Sequence, residues 1–449
     1  MRILFVHVSQ NWQGRVYPEY PLGPGIVATI ARDAGHDVFF HDMAVDDTPV
    51  EEVVGRVAPR IVALSFLSTS ATKAGEVIRK LRGWEGITLI AGGIHTSIFP
   101  EHVVALGVDV AVVGEGEGVI LPLLDAFSRG GDPSVRLSAI PGIVYRERSG
   151  RIRKNPPSTT SVDLETLPPV ERSIYDLSRY PHHSIITSRG CPYRCKFCCA
   201  WGPGGRKGRM ASPSRILTEL EWLVERYGEM TLYWADDMFF FSQRKRLEFC
   251  SMMKERGLPI EWIAQLRADN LNPPLVDALL AAGCTTICLG AESGSDRLLQ
   301  SVEKGLTRAQ IAAGIRCAVE GGLRVKTWWI LGLPGGTFED QLASLDLIAE
   351  TRPHEVAVHT FVPLPGTIYW EEAERFGIHL PPLDRLEQLY YYGNPGEVRM
   401  DGLSAEEMTM LIEAYDTGLQ EMGYLPTDRA TPETPYVYTS PKQKTTFAV

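Results

Sequence analysis

Thr187-Ser188-Arg189-Gly190-Cys191-Pro192-Tyr193-Arg194-Cys195-Lys196-Phe197-Cys198-Cys199 is the stretch of this 449-residue chain whose reading decides the fold. Its cysteines at 191, 195 and 198 are spaced C-x3-C-x2-C in a tight, glycine-led loop. Three thiolates so placed can hold three corners of a cubane iron–sulfur cluster and leave the fourth iron without a protein ligand. The competing reading is a zinc knuckle on Cys191, Cys195, Cys198 and either Cys199 or His182/His183. Structural zinc sites, however, usually pair C-x2–4-C with a second, distant ligand pair. Cys199 can replace Cys198 as a ligand, but its spacing better suits a small buried neighbour.

Downstream of the loop, patterns of period two and period 3.6 alternate. Strands are predicted at 184–187, 231–235, 262–266, 286–290, 325–331 and 356–361, with helices between them. The clearest helix spans 213–227, with Ser212 as cap, Pro213 at the first position and Ile216, Leu217, Leu220, Leu223, Val224 and Tyr227 on one stripe. Six strand–helix units predict an open partial barrel, with its active residues at the C-terminal ends of the strands. The cluster loop follows the first of these strands. Asp236-Asp237, Arg267-Ala268-Asp269, Glu292-Ser293-Gly294-Ser295 and Gly332-Leu333-Pro334-Gly335-Gly336-Thr337 follow later ones. Charges converging on a barrel mouth are costly unless they bind something. Arg267 suits a carboxylate by bidentate geometry. The bland alternatives are helix N-capping for the acidic pair and an internal ion pair for Arg267. Cys284 and Cys288 imitate part of the cluster spacing, but four residues along a strand separate them by roughly 13 Å, which predicts core cysteines. Of Trp328 and Trp329, one ring is expected under the helices and the other against the lumen.

Upstream, short apolar strands at 3–8, 37–41, 61–66, 88–91 and 108–113 alternate with amphipathic helices. This is the pattern of a doubly wound parallel sheet, in which ligands sit beyond the carboxyl ends of the strands. Three strand-end loops suit a close ligand: Ser65-Phe66-Leu67-Ser68-Thr69-Ser70, Gly92-Gly93-Ile94-His95-Thr96 and Gly114-Glu115-Gly116-Glu117-Gly118. The division expected is a first domain over 1–140, a linker over 141–180 that carries a hairpin around Ser149-Gly150, a partial barrel over 181–372, and a helical cap and tail over 373–449. In the cap, a helix is expected from 404 to 422, and Tyr390 to Tyr392 form an aromatic patch.

A net charge of −10 and a pI near 5.6 argue against a nucleic-acid grip. All eight cysteines lie between Cys191 and Cys317, unlike a secreted disulfide framework. No apolar run is long enough to span a bilayer. The expectation is a reducing cytoplasm.

The C-x3-C-x2-C spacing, with Phe197 before the last cysteine, resembles the cluster loop of the radical S-adenosylmethionine (SAM) superfamily. The G-G-x-H and V-G-E-G-E loops upstream of it resemble that superfamily's cobalamin-binding branch, and the resemblance runs to about residue 372. It implies a [4Fe-4S] cluster on Cys191, Cys195 and Cys198, SAM chelated by the free iron, and bound cobalamin. It further implies SAM contacts from Phe197, Asp236, Glu292, Ser293, Gly294 and Gly335, with Asp236, Asp237 and Arg267 as candidates for the chemistry. Ser65, Leu67, Thr69, Gly92, Gly93, His95, Gly114, Glu115, Gly116 and Glu117 would line the pocket for the corrin and its nucleotide tail, His95 as a tail or phosphate contact. Two departures stand out. The D-x-H-x-x-G motif of many other B12 proteins is missing: the chain reads Gln10-Asn11-Trp12-Gln13-Gly14 after the first strand, and His41-Asp42 lacks the motif's context. The lower cobalt face is therefore expected to be open or water-bound. Gly336 also stands where an acidic residue is more usual, which predicts a weakened helix cap.

The activity implied is methylation of an unactivated carbon of a small-molecule, tetrapyrrole or peptide substrate, through a 5'-deoxyadenosyl radical and methylcobalamin. The alternative keeps the cofactors without methyl transfer, as in a porphyrin oxidative cyclase or a rearrangement enzyme. A tRNA methylthiotransferase ranks low, since those enzymes carry N-terminal cluster cysteines and this chain has none before Cys191. A non-catalytic corrinoid or redox sensor also ranks low. The partners expected are the substrate and an external one-electron reductant of flavodoxin or ferredoxin type, with no nucleic acid.

Overall fold

The computed structural model describes residues 1–9, 19–129, 131–159, 161–200, 207–389, 399–426 and 437–440. The stretch 10–14 and the tyrosines at 390–392 lie outside the described residues. Two compact units are present: Met1–Pro181 with Pro382–Glu387, and the remaining described residues.

In the first unit, β1 (Arg2–Val8), β2 (Asp37–Asp42), β3 (Ile61–Phe66), β4 (Thr88–Gly92) and β5 (Val110–Val112) pair in parallel in the order β2-β1-β3-β4-β5. Between and after them run α1 (Leu22–Asp33), α2 (Val50–Val57), α3 (Ala71–Leu81), α4 (Ile94–Ile98), α5 (Pro100–Leu106), α6 (Ile120–Ser128) and α7 (Ser134–Leu137). Strands covered on both faces lose the alternation of a half-exposed strand, and β1 accordingly buries Ile3, Leu4, Phe5 and Val6 in succession. One face packs Ile3, Phe5, Ala63 and Ile90 against Ala28, Ala31, Leu123 and Leu124 of α1 and α6. The strand order reverses between β1 and β3, the switch point where such sheets open toward a ligand.

The hairpin expected in a linker over 141–180 instead continues this sheet. β6 (Ile143–Arg146) pairs antiparallel with β5, and β7 (Ile152–Lys154) pairs with β6. Its apolar residues Ile143, Val144 and Tyr145 are buried. The side-chain amide of the buried Asn155 donates to the Leu137 and Ile140 carbonyls at 2.7 and 2.6 Å, fixing the chain where the hairpin leaves the sheet.

The second unit begins with β8 (His183–Ile185) and a short antiparallel pair, β9 (Ser188–Arg189) with β10 (Arg209–Met210). There follow β11 (Met230–Trp234), β12 (Ile260–Leu266), β13 (Cys284–Glu292), β14 (Arg324–Leu331) and β15 (Glu355–Thr360), which join β8 in a parallel sheet of order β8-β11-β12-β13-β14-β15. The helices are α8 (Pro213–Tyr227), α9 (Gln243–Arg256), α10 (Pro273–Ala281), α11 (Asp296–Ser301), α12 (Arg308–Glu320), α13 (Phe338–Thr351), α14 (Ile368–Glu371) and α15 (Ala405–Glu421). β16 (Ile378–His379) pairs with β17 (Arg399–Met400). The tail supplies β18 (Leu425–Pro426) and β19 (Val437–Thr439); β19 covers the β15 edge antiparallel, and β18 pairs antiparallel with β19. An open edge is a row of unpaired backbone groups; Tyr438 seals this one, buried and donating its hydroxyl to Asp416 at 2.8 Å.

Caps set the helix starts. Ser212 accepts from the Arg215 N–H at 3.2 Å ahead of Pro213, and Ser404 forms a capping box with Glu407 ahead of α15, whose Met408, Leu411, Tyr415 and Leu419 are buried. On the helix side of the sheet, Trp234 meets Phe239, Phe249 and Trp262 at centroid distances of 5.0–5.3 Å. Such aromatic pairs are worth about 0.5–1.5 kcal/mol each beyond area burial. Trp329 is fully buried while Trp328 packs in the lumen beside Tyr233, Ile263 and Cys288. Cys284 and Cys288 are both buried in β13.

The weakened cap is corrected. Thr337 and Asp340 form a complete capping box ahead of α13. A Cβ on Gly336 would lie 2.6 Å from Gln341 Nε2 and 2.7 Å from Leu298 Cδ2. Neither neighbour can yield, because Leu298 is buried and Gln341 bonds Gly332 N and Leu333 O. Introducing the more usual residue, Gly336→Glu, is therefore expected to destabilise the protein by about 1–3 kcal/mol in denaturant titration; unchanged or raised stability would contradict this packing.

Candidate functional site

The cluster loop is pegged by one carboxylate. Asp236, just past β11 and 2% exposed, accepts from Thr187 N at 2.7 Å and Ser188 N at 2.9 Å, and also from the Thr187 hydroxyl. Trp234 Nε1 donates to the same hydroxyl at 3.0 Å. Asp236 thus neither caps a helix nor projects into a cavity. It ties the end of β11 to the chain entering the loop, and burial raises its pKa to about 7. Asp237, its neighbour, is exposed.

Two further clamps hold the loop. Lys196 donates its backbone N–H to Val302 O at 2.9 Å and its Nζ to Ser301 O at 2.7 Å. Arg267, 7% exposed, stacks its guanidinium 3.8 Å from the centre of the Tyr193 ring. It donates to Lys304 O at 2.9 Å, to Gly305 O at 3.3 Å and to both Asp269 oxygens at 3.2 and 3.3 Å. Its fork is spent inside the protein, so the internal ion pair is its actual environment rather than a ligand carboxylate.

Cys195 is buried and Cys191, Cys198 and Cys199 partly so; all are free thiols. Burial pushes the Cys191, Cys195 and Cys198 thiols up, so they become thiolates readily only against added positive charge. An iron–sulfur cluster supplies such charge, and the donor set fits it. Among the described residues no three His, Cys, Asp or Glu side chains converge on one ion position. His182 and His183 pack against Tyr233 and Tyr227 instead.

Beyond the loop, a cavity of ≈ 290 Å³ is lined by Phe197, Glu292, Trp328, Ile330, His359 and residues 360–362 and 364. It brings two predicted residues, Phe197 and Glu292, to one place. Ser293 is buried and accepts from Ser295 N at 3.1 Å, while Gly294 N donates to Ser344 Oγ at 2.8 Å. A Cβ on Gly294 would lie 2.2 Å from Ala343 O, so this glycine serves the approach of α13. Gly335 has φ 84° with open space where a Cβ would stand. Sequence reasoning missed Lys304, buried and ion-paired with Glu292 at 2.9 Å.

In the first unit, the C-terminal ends of β3, β4 and β5 form a cradle. Ser97 Oγ donates to Gly93 O at 2.8 Å and accepts from Gly114 N at 2.9 Å, joining the two glycine loops. Gly93 has φ 98° and its Cβ would lie 3.0 Å from Ser65 Oγ; Gly114 has φ 84° with nothing within 4 Å. Leu67 and Ile94 stand exposed at 49% and 37% beside them, an apolar rim that suits a large flat ligand. Thr69 lies in a short 3-10 turn, Ser68–Ser70. Glu115 accepts from Val162 N at 2.9 Å. A Cβ on Gly116 would lie 3.3 Å from Val27, and Glu117 follows in the same loop. His95 departs from expectation. It is fully buried, with Nδ1 3.1 Å from Ser68 Oγ and Nε2 3.4 Å from His102 Nδ1, and burial drives its pKa down to about 3. It braces the cradle from beneath as a neutral ring.

Residues 15–123 match the family model of the B12 binding domain, and residues 185–348 match that of the Radical SAM superfamily. An uncharacterized methyltransferase of Pyrococcus horikoshii is 28% identical over 79% of this chain and 78% of its own. The anaerobic magnesium-protoporphyrin IX monomethyl ester cyclase of Rubrivivax gelatinosus is 26% identical over 83% and 70%. Among solved structures, the radical S-adenosylmethionine methyltransferase TsrM of Kitasatospora setae, with cobalamin and a [4Fe-4S] cluster bound, superposes with a TM-score of 0.72 at 19% identity, covering 94% of this chain and 88% of that one.

The Asp236 peg has a pH signature. A carboxyl raised from 3.8 to about 7 on folding contributes stability that is present at low pH and lost as pH rises through about 7. In anaerobic denaturant titrations, the parent chain is expected to lose stability relative to Asp236→Asn between pH 4 and pH 7; curves that run parallel would contradict the buried peg.

Proposed function

The chain belongs to the cobalamin-binding branch of the radical SAM superfamily, and on that premise we propose that it is a methyltransferase acting on an unactivated carbon of a small-molecule, tetrapyrrole or peptide substrate. The observation that carries this reading is the pegged three-cysteine loop at the C-terminal edge of a parallel sheet, beside a cavity that Phe197 and Glu292 line. When bound, the cluster with SAM supplies a hydrogen-abstracting 5'-deoxyadenosyl radical, and cobalamin supplies a methyl carrier.

The chain's own residues have separable tasks in this reading. Cys191, Cys195 and Cys198 hold the cluster, and Asp236, Lys196 and Arg267 hold the loop in place. Phe197, Glu292 and the backbone around Gly335 receive SAM, and Trp328 and Ile330 exclude water from the same cavity. The cradle of Ser65, Leu67, Thr69, Gly92, Gly93 and the loop from Gly114 to Glu117 receives the corrinoid. Asp237, exposed and free of the peg's bonding, is the candidate for proton handling.

The electron enters from a reductant of ferredoxin or flavodoxin type, and a reducing cytoplasm suits the eight free cysteines. No helix among the described residues is long and apolar enough to cross a membrane. The acidic balance speaks against a nucleic-acid substrate. The cyclase relative favours a second reading, in which the same cofactors close a ring without methyl transfer.

Product stoichiometry separates the two. Anaerobic turnover with dithionite is expected to release S-adenosylhomocysteine and 5'-deoxyadenosine in similar amounts. Deoxyadenosine alone would contradict methyl transfer, and intact SAM would contradict catalysis altogether.

A further inference from the structure

Four residues stand in register at the carboxyl ends of β2, β1, β3 and β4: Asp42 pairs with His7, His7 with Ser65, and Ser65 with Gly92. Residues so paired on neighbouring strands, about 4.8 Å apart, turn their side chains to one face of the sheet. Two residues earlier, that face carries Phe40, Phe5, Ala63 and Ile90, packed with α1 and α6. The row is thus a polar rim where the apolar core ends, and it crosses the switch point between β1 and β3. The loop from Gly114 to Glu117 borders the same face, since a Cβ on Gly116 would lie 3.3 Å from Val27 of α1.

The members of the row differ in what meets them. Asp42 is satisfied by the Tyr180 hydroxyl at 2.7 Å and the Ala44 N–H at 3.0 Å. At the other end the row is open: a Cβ on Gly92 would meet only Val112 Cβ, at 4.0 Å. Between them stands His7, partly buried; burial outweighs the neighbouring Asp42 and lowers its pKa, so the ring is neutral. Its Nδ1 is buried without a hydrogen-bond partner. An unmet polar group of this kind costs about 1–3 kcal/mol. The packing of β1 does not call for it, because the two preceding residues on this face are Ile3 and Phe5.

Cobalamin has two parts of different shape. The corrin is broad and flat, and suits the apolar rim of Leu67 and Ile94 outside the glycine loops. The nucleotide that hangs from it is narrow, and its ribose, phosphodiester and base carry hydrogen-bonding groups. We propose that the nucleotide tail of the bound corrinoid runs along this row and hydrogen-bonds His7 Nδ1, with Ser65 beside it. The proposal rests on the reading that this cradle receives the corrinoid. The tail supplies the partner that the fold withholds from His7, while His95 is already spent on Ser68 and His102. His7 therefore reads the tail and neither the corrin nor the cobalt.

The full chain, freed of corrinoid, is titrated by absorbance with hydroxocobalamin and with cobinamide, which keeps corrin and cobalt but lacks the nucleotide. The parent is expected to bind cobalamin the more tightly. His7→Ala is expected to bind cobalamin about tenfold more weakly, while its affinity for cobinamide changes by less than about twofold. His7→Gln, which keeps a donor and an acceptor, is expected to stay within about threefold of the parent for both. Unchanged cobalamin affinity in His7→Ala, or an equal loss for both ligands, would overturn the proposal. If His7→Ala does not fold by circular dichroism, His7→Phe, which keeps a ring without nitrogens, is read with the same two ligands and the same criteria. A parent that binds both ligands equally overturns the tail contact and leaves the corrinoid reading standing; a parent that binds neither overturns that reading, and the proposal with it.

Discussion

The carboxylate of Asp236 is the constraint on which the functional half of this molecule depends. The loop that carries the cysteines would otherwise leave the sheet with its first two amides unpaired, since β8 ends at Ile185 and β9 pairs only with the short β10. Asp236 meets both amides and the Thr187 hydroxyl from the neighbouring strand end. An unpaired buried amide costs about 1–3 kcal/mol, so a single side chain just past β11 accounts for much of what holds the start of the loop. Lys196, Arg267 and Tyr193 then fix its far side. Precision of this kind is what a radical site requires, because positioning and shielding are the protein's share of the chemistry.

Much of this was legible in the sequence for identifiable reasons. The parallel strands carry apolar runs bounded by glycine and proline, so both sheets could be read, and Ser212-Pro213 and Ser404 mark their helices without tertiary help. The hairpin of β6 and β7 was read, but its place in the first sheet was not, because asparagine and proline follow it directly and a strand that joins a sheet edge needs no periodic signal of its own. β19 was hidden by its brevity. In both places an exposed edge, a property of the fold and not of the segment, recruited the strand.

The site was less legible than the fold. The cysteines declare themselves by spacing, but the partners of polar residues do not. Asp236 was expected near a ligand and is consumed by backbone amides; Arg267 was expected to meet a carboxylate and is spent on Asp269 and two carbonyls. His95 looked like a ligand contact because it follows a glycine pair, yet it turns into the core against Ser68 and His102. Lys304 lies in Val302-Glu303-Lys304-Gly305, which reads as a solvated turn until the fold carries it to Glu292. Only distance in space, absent from one sequence, separates these outcomes.

The central claim is that this loop presents a cluster with one iron free for SAM. Mössbauer spectroscopy of the iron-57 chain, reconstituted anaerobically and measured before and after addition of SAM, tests it most directly. The account predicts that one of four iron sites changes on addition of SAM while three remain thiolate-like; four sites that do not respond, or a chain that retains no iron, would contradict it.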